Sequence, residues 1–140
     1  MYKDGILTCD PQTEKITRIE LDDKSADICC FYEENNKIWI GTQNGLYSWE
    51  NGKIIEEKEI NEQLPDIMIH GIQRDRQGKL WLGTFGKGLI VFSPEGKRIM
   101  RFDTSNGMES NAVNSLYIDS KGGLWATTRA GIVYISDTKN

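Results

Sequence analysis

The chain has 140 residues, 38% of them hydrophobic and 27% charged, with a formal net charge of −4, which is the composition of an ordinary globular protein. A sequence pI near 5.1 and the absence of any Lys or Arg run longer than two argue against nucleic acid as a partner, because backbone binding needs a concentrated basic face. No stretch approaches the roughly 20 apolar residues of a membrane span, and Met1-Tyr-Lys-Asp-Gly5 opens without the apolar run of a signal peptide, so no membrane contact is expected of this segment.

Apolar residues recur at a spacing of two in short segments bounded by Gly, Asn, Asp or Pro, which predicts strands throughout and no helix. In chain order the predicted strands are Gly5 to Cys9 and Lys15 to Leu21, then Ile28 to Tyr32, Lys37 to Thr42, Gly45 to Trp49 and Lys53 to Ile60. His70 to Arg74, Lys79 to Thr84, Gly88 to Phe92 and Lys97 to Asp103 follow, and Val113 to Asp119, Gly123 to Thr128 and Gly131 to Ile135 close the series. Every fourth strand is polar and irregular, as suits an outer edge. Asp75-Arg-Gln-Gly78 and Asp119-Ser-Lys-Gly122 have the Asp-early, Gly-late chemistry of tight turns.

The chain repeats itself. Trp39, Trp81 and Trp125 are 42 and 44 residues apart, and Gly5, Gly45, Gly88 and Gly131 are 40, 43 and 43 apart. Four-stranded antiparallel units of about 43 residues describe propeller blades, which bury their faces by stacking on one another. The expected fold is therefore all-β, a β-propeller segment of about three four-stranded blades forming an incomplete ring. The end of one blade would occupy residues 1–24, whole blades 25–62 and 63–105, and the start of the next 106–140. The open faces would be covered by the remaining blades of a longer parent, or by a second copy joined head to tail as a dimer.

Trp39, Trp81 and Trp125 share one position in the second strand and are expected to cement blade to blade; stacking on sugar rings is the alternative. Trp49, Phe92, Ile135 and Cys9 share a second core position. Cys9, Cys29 and Cys30 are an odd set without metal-type spacing, and His70 is the one histidine, so neither a metal centre nor a disulfide framework is expected. Counted from the tryptophans, Cys30 falls with Ile72 and Leu116, and Cys29 with Gly71 and Ser115, which predicts reduced structural thiols. Glu56-Glu57-Lys58-Glu59 and Asp22-Asp23 lack the spaced ligand loop of a calcium site. No cofactor is expected.

Functional groups are expected where the second-to-third and fourth-to-first connections converge. That end carries Gln43, Asn44, Phe85, Lys87 and Arg129 in the loops and His70, Asn111 and Asn114 at the starts of inner strands, with His70 replaced by Ile28 and Asn114 in the other units. Amide, cationic and aromatic groups of this kind can hold an oligosaccharide or meet a protein. Neither a nucleophile with its base nor a phosphate-cradling loop is present as a motif.

The string apolar-Trp-apolar-Gly-Thr followed by Gly-Leu resembles the two-component regulator propeller repeat. Gly78-Lys-Leu-Trp-Leu-Gly-Thr84 with Gly88-Leu89 matches best, Ile38-Trp-Ile-Gly-Thr42 with Gly45-Leu46 nearly as well, and Leu124-Trp-Ala-Thr-Thr128 departs at the glycine, read here as Ala126; Gly41 and Gly83 are the intact copies. The resemblance implies a non-catalytic sensing segment from the periplasmic part of a hybrid histidine kinase of Bacteroides-like bacteria, responding to glycans. A protein-binding propeller scaffold is the alternative function, and a propeller lyase or hydrolase a third.

Overall fold

The computed structural model describes residues 5–20, 27–64 and 66–136; predicted residue Leu21 and the pair Asp22-Asp23 lie outside them. The described strands form four antiparallel sheets. β1 (Gly5–Cys9) pairs with β2 (Ile16–Glu20). The second sheet runs β3 (Ile28–Glu34), β4 (Lys37–Thr42), β5 (Gly45–Glu50), β6 (Lys53–Glu56), and the third β7 (Ile69–Arg74), β8 (Leu80–Thr84), β9 (Leu89–Phe92), β10 (Arg98–Phe102). The last holds β11 (Val113–Ile118), β12 (Leu124–Thr128) and β13 (Gly131–Ile135). β7 packs against β3 on one side and β11 on the other. The first strands thus line an inner track from which the sheets radiate, and the expected arc of a propeller is what the chain forms.

Each residue of the repeated string has a separate physical task. The indoles of Trp39 and Trp81 are 6% and 1% exposed because the next sheet covers them, whereas Trp125, which no described sheet covers, is 40% exposed. Trp81 lies with Leu89 and Val91 against Val113, Leu124 and Ala126, while Leu80, Leu82, Ile90 and Phe92 pack from the other face onto Trp39, Leu46 and Ile69. Burying an indole removes about 150–250 Å² from water, on the order of 4 kcal/mol per joint at about 25 cal/mol per Å².

The glycine of the string is a matter of space. A Cβ on Gly83 would stand 2.7 Å from a methyl of Val113, and one on Gly41 would stand 2.7 Å from the carbonyl of Ile69, so the inner strand of the following blade could not approach. The threonine closes the next turn: Thr42, Thr84 and Thr128 donate to the carbonyls of Gly45, Gly88 and Gly131 at 2.9, 2.8 and 3.0 Å.

Three expectations are corrected. The replaced glycine of the third copy is Thr127, not Ala126: Leu82 and Ala126 pair with Ile72 and Leu116, whereas Gly83 and Thr127 pair with Gly71 and Ser115. Thr127 is exposed, on the face that no described sheet covers, and so does not need to be small. The predicted fourth strand Lys53 to Ile60 ends at Glu56, and Lys58–Asn61 form a single helical turn, α1. Asn61 makes the exchange possible, because its side-chain amide accepts from the Leu46 N–H at 2.8 Å and donates to the Leu46 carbonyl at 3.0 Å, standing in for strand backbone.

The third correction moves the cysteines. The hairpin of β3 and β4 turns through Asn35 and Asn36 alone, both at positive φ, and pairs Tyr32 with Trp39, seven residues on; β7–β8 and β11–β12 place that distance at eight. Counting back from the tryptophans therefore slips by one. Cys30 shares its place with Gly71 and Ser115, and Cys29 with His70 and Asn114. Cys30 lies over Gly41 and is half-buried at the joint, while Cys9, assigned to the core position of Phe92, is exposed.

Candidate functional site

The β4–β5, β8–β9 and β12–β13 turns gather at one end with the β6–β7 and β10–β11 connections, and backbone bonds tie them together. The N–H groups of Gln43, Phe85 and Arg129 donate to the carbonyls of Asp27, Met68 and Ala112 at 3.1, 2.9 and 3.1 Å. Gln43, Phe85 and Arg129 are thus one repeated position carrying an amide, an aromatic ring and a cation.

A second repeated position lies at the starts of the inner strands. The register shifts by one residue between Ile28 and Cys30, between Ile69 and Gly71, and between Val113 and Ser115, so Cys29, His70 and Asn114 are the bulged residues. Bulges at a rim re-aim side chains. Cys29 was missed by sequence reasoning because the shorter Asn35-Asn36 turn hid its equivalence to His70. Its thiol donates to the Asp27 carbonyl at 3.6 Å, and burial, then the Asp27 charge, pushes its pKa up. Both effects make it a poor nucleophile.

His70, Phe85 and Arg129 come together. The imidazole stacks on the Phe85 ring with centroids 5.0 Å apart and 24° between planes. The Arg129 guanidinium, from the next sheet, lies 5.1 Å from the same ring centroid. His70 and Phe85 are half-buried and Arg129 is exposed. Lys87 is exposed in the same turn as Phe85, its N–H held by Thr84 Oγ1 at 3.0 Å.

The other predicted residues divide into scaffold and bystander. Asn111 is spent on structure: its carbonyl accepts from Gly86 and Gly88 at 2.9 and 3.0 Å, and its Oδ1 accepts from the Thr104 N–H at 2.8 Å. Gln43 donates from Nε2 to Asp27 Oδ2 at 2.8 Å, and Asn44 sits exposed beside it, its N–H bonded to Thr42 Oγ1 at 3.0 Å. Asn114 is exposed at its bulge. The platform is an open surface; hollows of about 150, 330 and 500 Å³ are lined by other residues. Among the described residues no His, Cys, Asp and Glu cluster is placed to hold a metal ion, and no helix is long and apolar enough to cross a membrane. An aromatic ring flanked by an imidazole and a guanidinium offers stacking and directed hydrogen bonds.

A two component regulator propeller model matches residues 63–86 and 107–130, each covering a blade's inner hairpin and the connection before it. Histidine kinase P4 of Formosa agariphila is 28% identical over 109 residues, 70% of this chain and 8% of the kinase. The extracellular domain of a hybrid two-component system of B. thetaiotaomicron superposes with a TM-score of 0.80 at 30% identity, over 96% of this chain and 19% of that domain. Virginiamycin B lyase from Staphylococcus aureus superposes with a TM-score of 0.61 at 18% identity, over 92% of this chain and 47% of the lyase, which shows a shared fold alone. The chain spans less than a tenth of its curated relative and about a fifth of the solved domain of the B. thetaiotaomicron system. Sequence string, blade architecture and model match agree: two stretches of the chain, residues 63–86 and 107–130, are two-component regulator propeller repeats.

Proposed function

We propose that the chain is a ligand-sensing segment of the periplasmic propeller of a two-component histidine kinase, and that the His70, Phe85 and Arg129 platform contacts a glycan. The observation that carries the proposal is the convergence of these three side chains from two blades onto one ring. Imidazole and guanidinium nitrogens meet sugar hydroxyls, and the aromatic ring against which both pack holds them in place and offers apolar surface beside them. The segment is non-catalytic: the relative at 30% identity is an extracellular domain of a hybrid two-component system, and the lyase shares the fold alone.

Ligand held across the Phe85–Arg129 joint would favour one arrangement of neighbouring blades, and a preference of that kind can be passed to a distant kinase as a shift in population. Calorimetric screening of neutral and acidic oligosaccharides against the 140-residue chain, with Phe85→Ala and Gln43→Ala compared, tests the assignment. Binding weakened by Phe85→Ala and untouched by Gln43→Ala is expected. Equal binding by both variants would place the site elsewhere.

A further inference from the structure

Resting on the glycan reading above, we infer that the saccharide recognised at this platform carries an anionic substituent, a carboxylate or a sulfate, and that Arg129 is the residue that binds it.

The repeat itself supplies the comparison. In the blade of β3–β6, the residue that anchors the loop is Asp27, and its carboxylate accepts from Gln43 at 2.8 Å. At the equivalent anchor beside Arg129 stands Ala112, and beside Phe85 stands Met68. The acidic side chain that this position holds in one blade is thus absent where the cation stands. Elsewhere Arg74 is paired with Glu34 at 2.7 Å and Arg101 with Asp103 at 2.8 Å, but neither Arg129 nor Lys87 has a carboxylate partner among the described residues.

The acids of the β6–β7 connection are Glu57, which pairs with Lys37, and the exposed Glu59, Glu62 and Asp66; those of the β10–β11 connection are the exposed Glu109 and Asp103, which is bound to Arg101 and Ser105. What holds Arg129 is an aromatic face. A guanidinium resting against a ring spends none of its N–H donors on that contact, and its fork of donors can meet a planar oxyanion with two parallel hydrogen bonds. Lys87, in the adjoining turn, adds a second positive charge, and His70 is a further nitrogen donor against the same ring. Neutral sugars would leave these charges uncompensated.

The test uses three probes on the 140-residue chain: trigalacturonate, its methyl ester, in which the same backbone has lost its charge, and a sulfated galactan trisaccharide. Calorimetry on wild type, Arg129→Gln and Arg129→Lys, at two salt concentrations, reads the outcome. Expected is binding of a charged probe at least about tenfold tighter than the methyl ester, weakened by salt, largely lost in Arg129→Gln and partly retained in Arg129→Lys. Preference for the carboxylate or for the sulfate probe distinguishes the two anions. If the methyl ester binds as tightly as the acid, or Arg129→Gln binds the charged probe like wild type, the anionic assignment is wrong while the glycan reading stands. If none of the three probes binds, the glycan reading falls with it.

Discussion

Trp81 donates its indole N–H to a carboxylate oxygen of Asp75 at 2.9 Å, and 44 residues further on Trp125 makes the same bond to Asp119 at 2.9 Å. Asp75 Oδ1 also accepts from the backbone N–H groups of Gln77 and Lys79, each at 2.9 Å. One buried carboxylate therefore shapes the turn and fixes the indole that seals the joint. Asp75→Ala is expected to lower the unfolding free energy by about 2–4 kcal/mol, because it strands three donors, and Asp119→Ala by less than about half as much, because the bond to Trp125 is exposed to water. Urea unfolding of both variants checks the order, and equal losses would contradict the role given to burial.

Gly83 and Thr127 make the complementary pair. Gly83→Ala would bring a methyl against Val113 and Leu116 and is expected to cost about 1–3 kcal/mol. Thr127→Ala, at the same repeat position on an exposed face, is expected to stay within about 0.5 kcal/mol of wild type. Thermal unfolding measures the contrast.

Glu34 accepts from Arg74 at 2.7 and 3.1 Å and from Trp39 at 2.9 Å, tying the first strand of one blade to that of the next. The Arg74 hydrogen bonds hold its carboxyl below the usual value of 4.5. A carboxyl whose pKa is lowered by folding stabilises the fold above its ordinary value, and that contribution drains away as pH falls through the lowered one. Asp103 and Asp119 are lowered as well, through Ser105 and Trp125 respectively. The stability difference between wild type and Glu34→Gln should therefore be greatest near neutrality and shrink at acid pH. A difference that does not change with pH would remove Glu34 from the acid transition.

The thiols should sort by environment. Burial, with Cys29 as the second contribution, pushes Cys30 up to about 12, whereas Cys9 is exposed. At pH about 8 a thiol reagent is expected to modify Cys9 first and Cys30 only after unfolding. Cys30 reacting as fast as Cys9 would show that the joint opens readily.

Strand boundaries were legible because apolar alternation and turn glycines act locally. The slip at Cys29 and Cys30 was not, since a turn one residue shorter leaves the tryptophan spacing intact and alters only what lies before it. The loss of the fourth strand beyond Glu56 was equally hidden, as nothing in the sequence marks the Asn61 amide as a substitute for backbone. At the loop end, residue type identified His70, Phe85 and Arg129, but only the folded chain distinguishes them from Asn111, whose polar groups are consumed in holding the loops together.

The interchangeable joint has a consequence for how such chains vary. Because each indole, its carboxylate, the glycine that admits the next strand and the threonine that closes the turn all belong to a single unit, a duplicated or deleted unit brings matched surfaces to both of its neighbours. Gain or loss of whole blades by recombination is therefore structurally mild, while those loop residues whose side chains hold no other loop, such as Phe85 and Arg129, are left to diverge in what they touch.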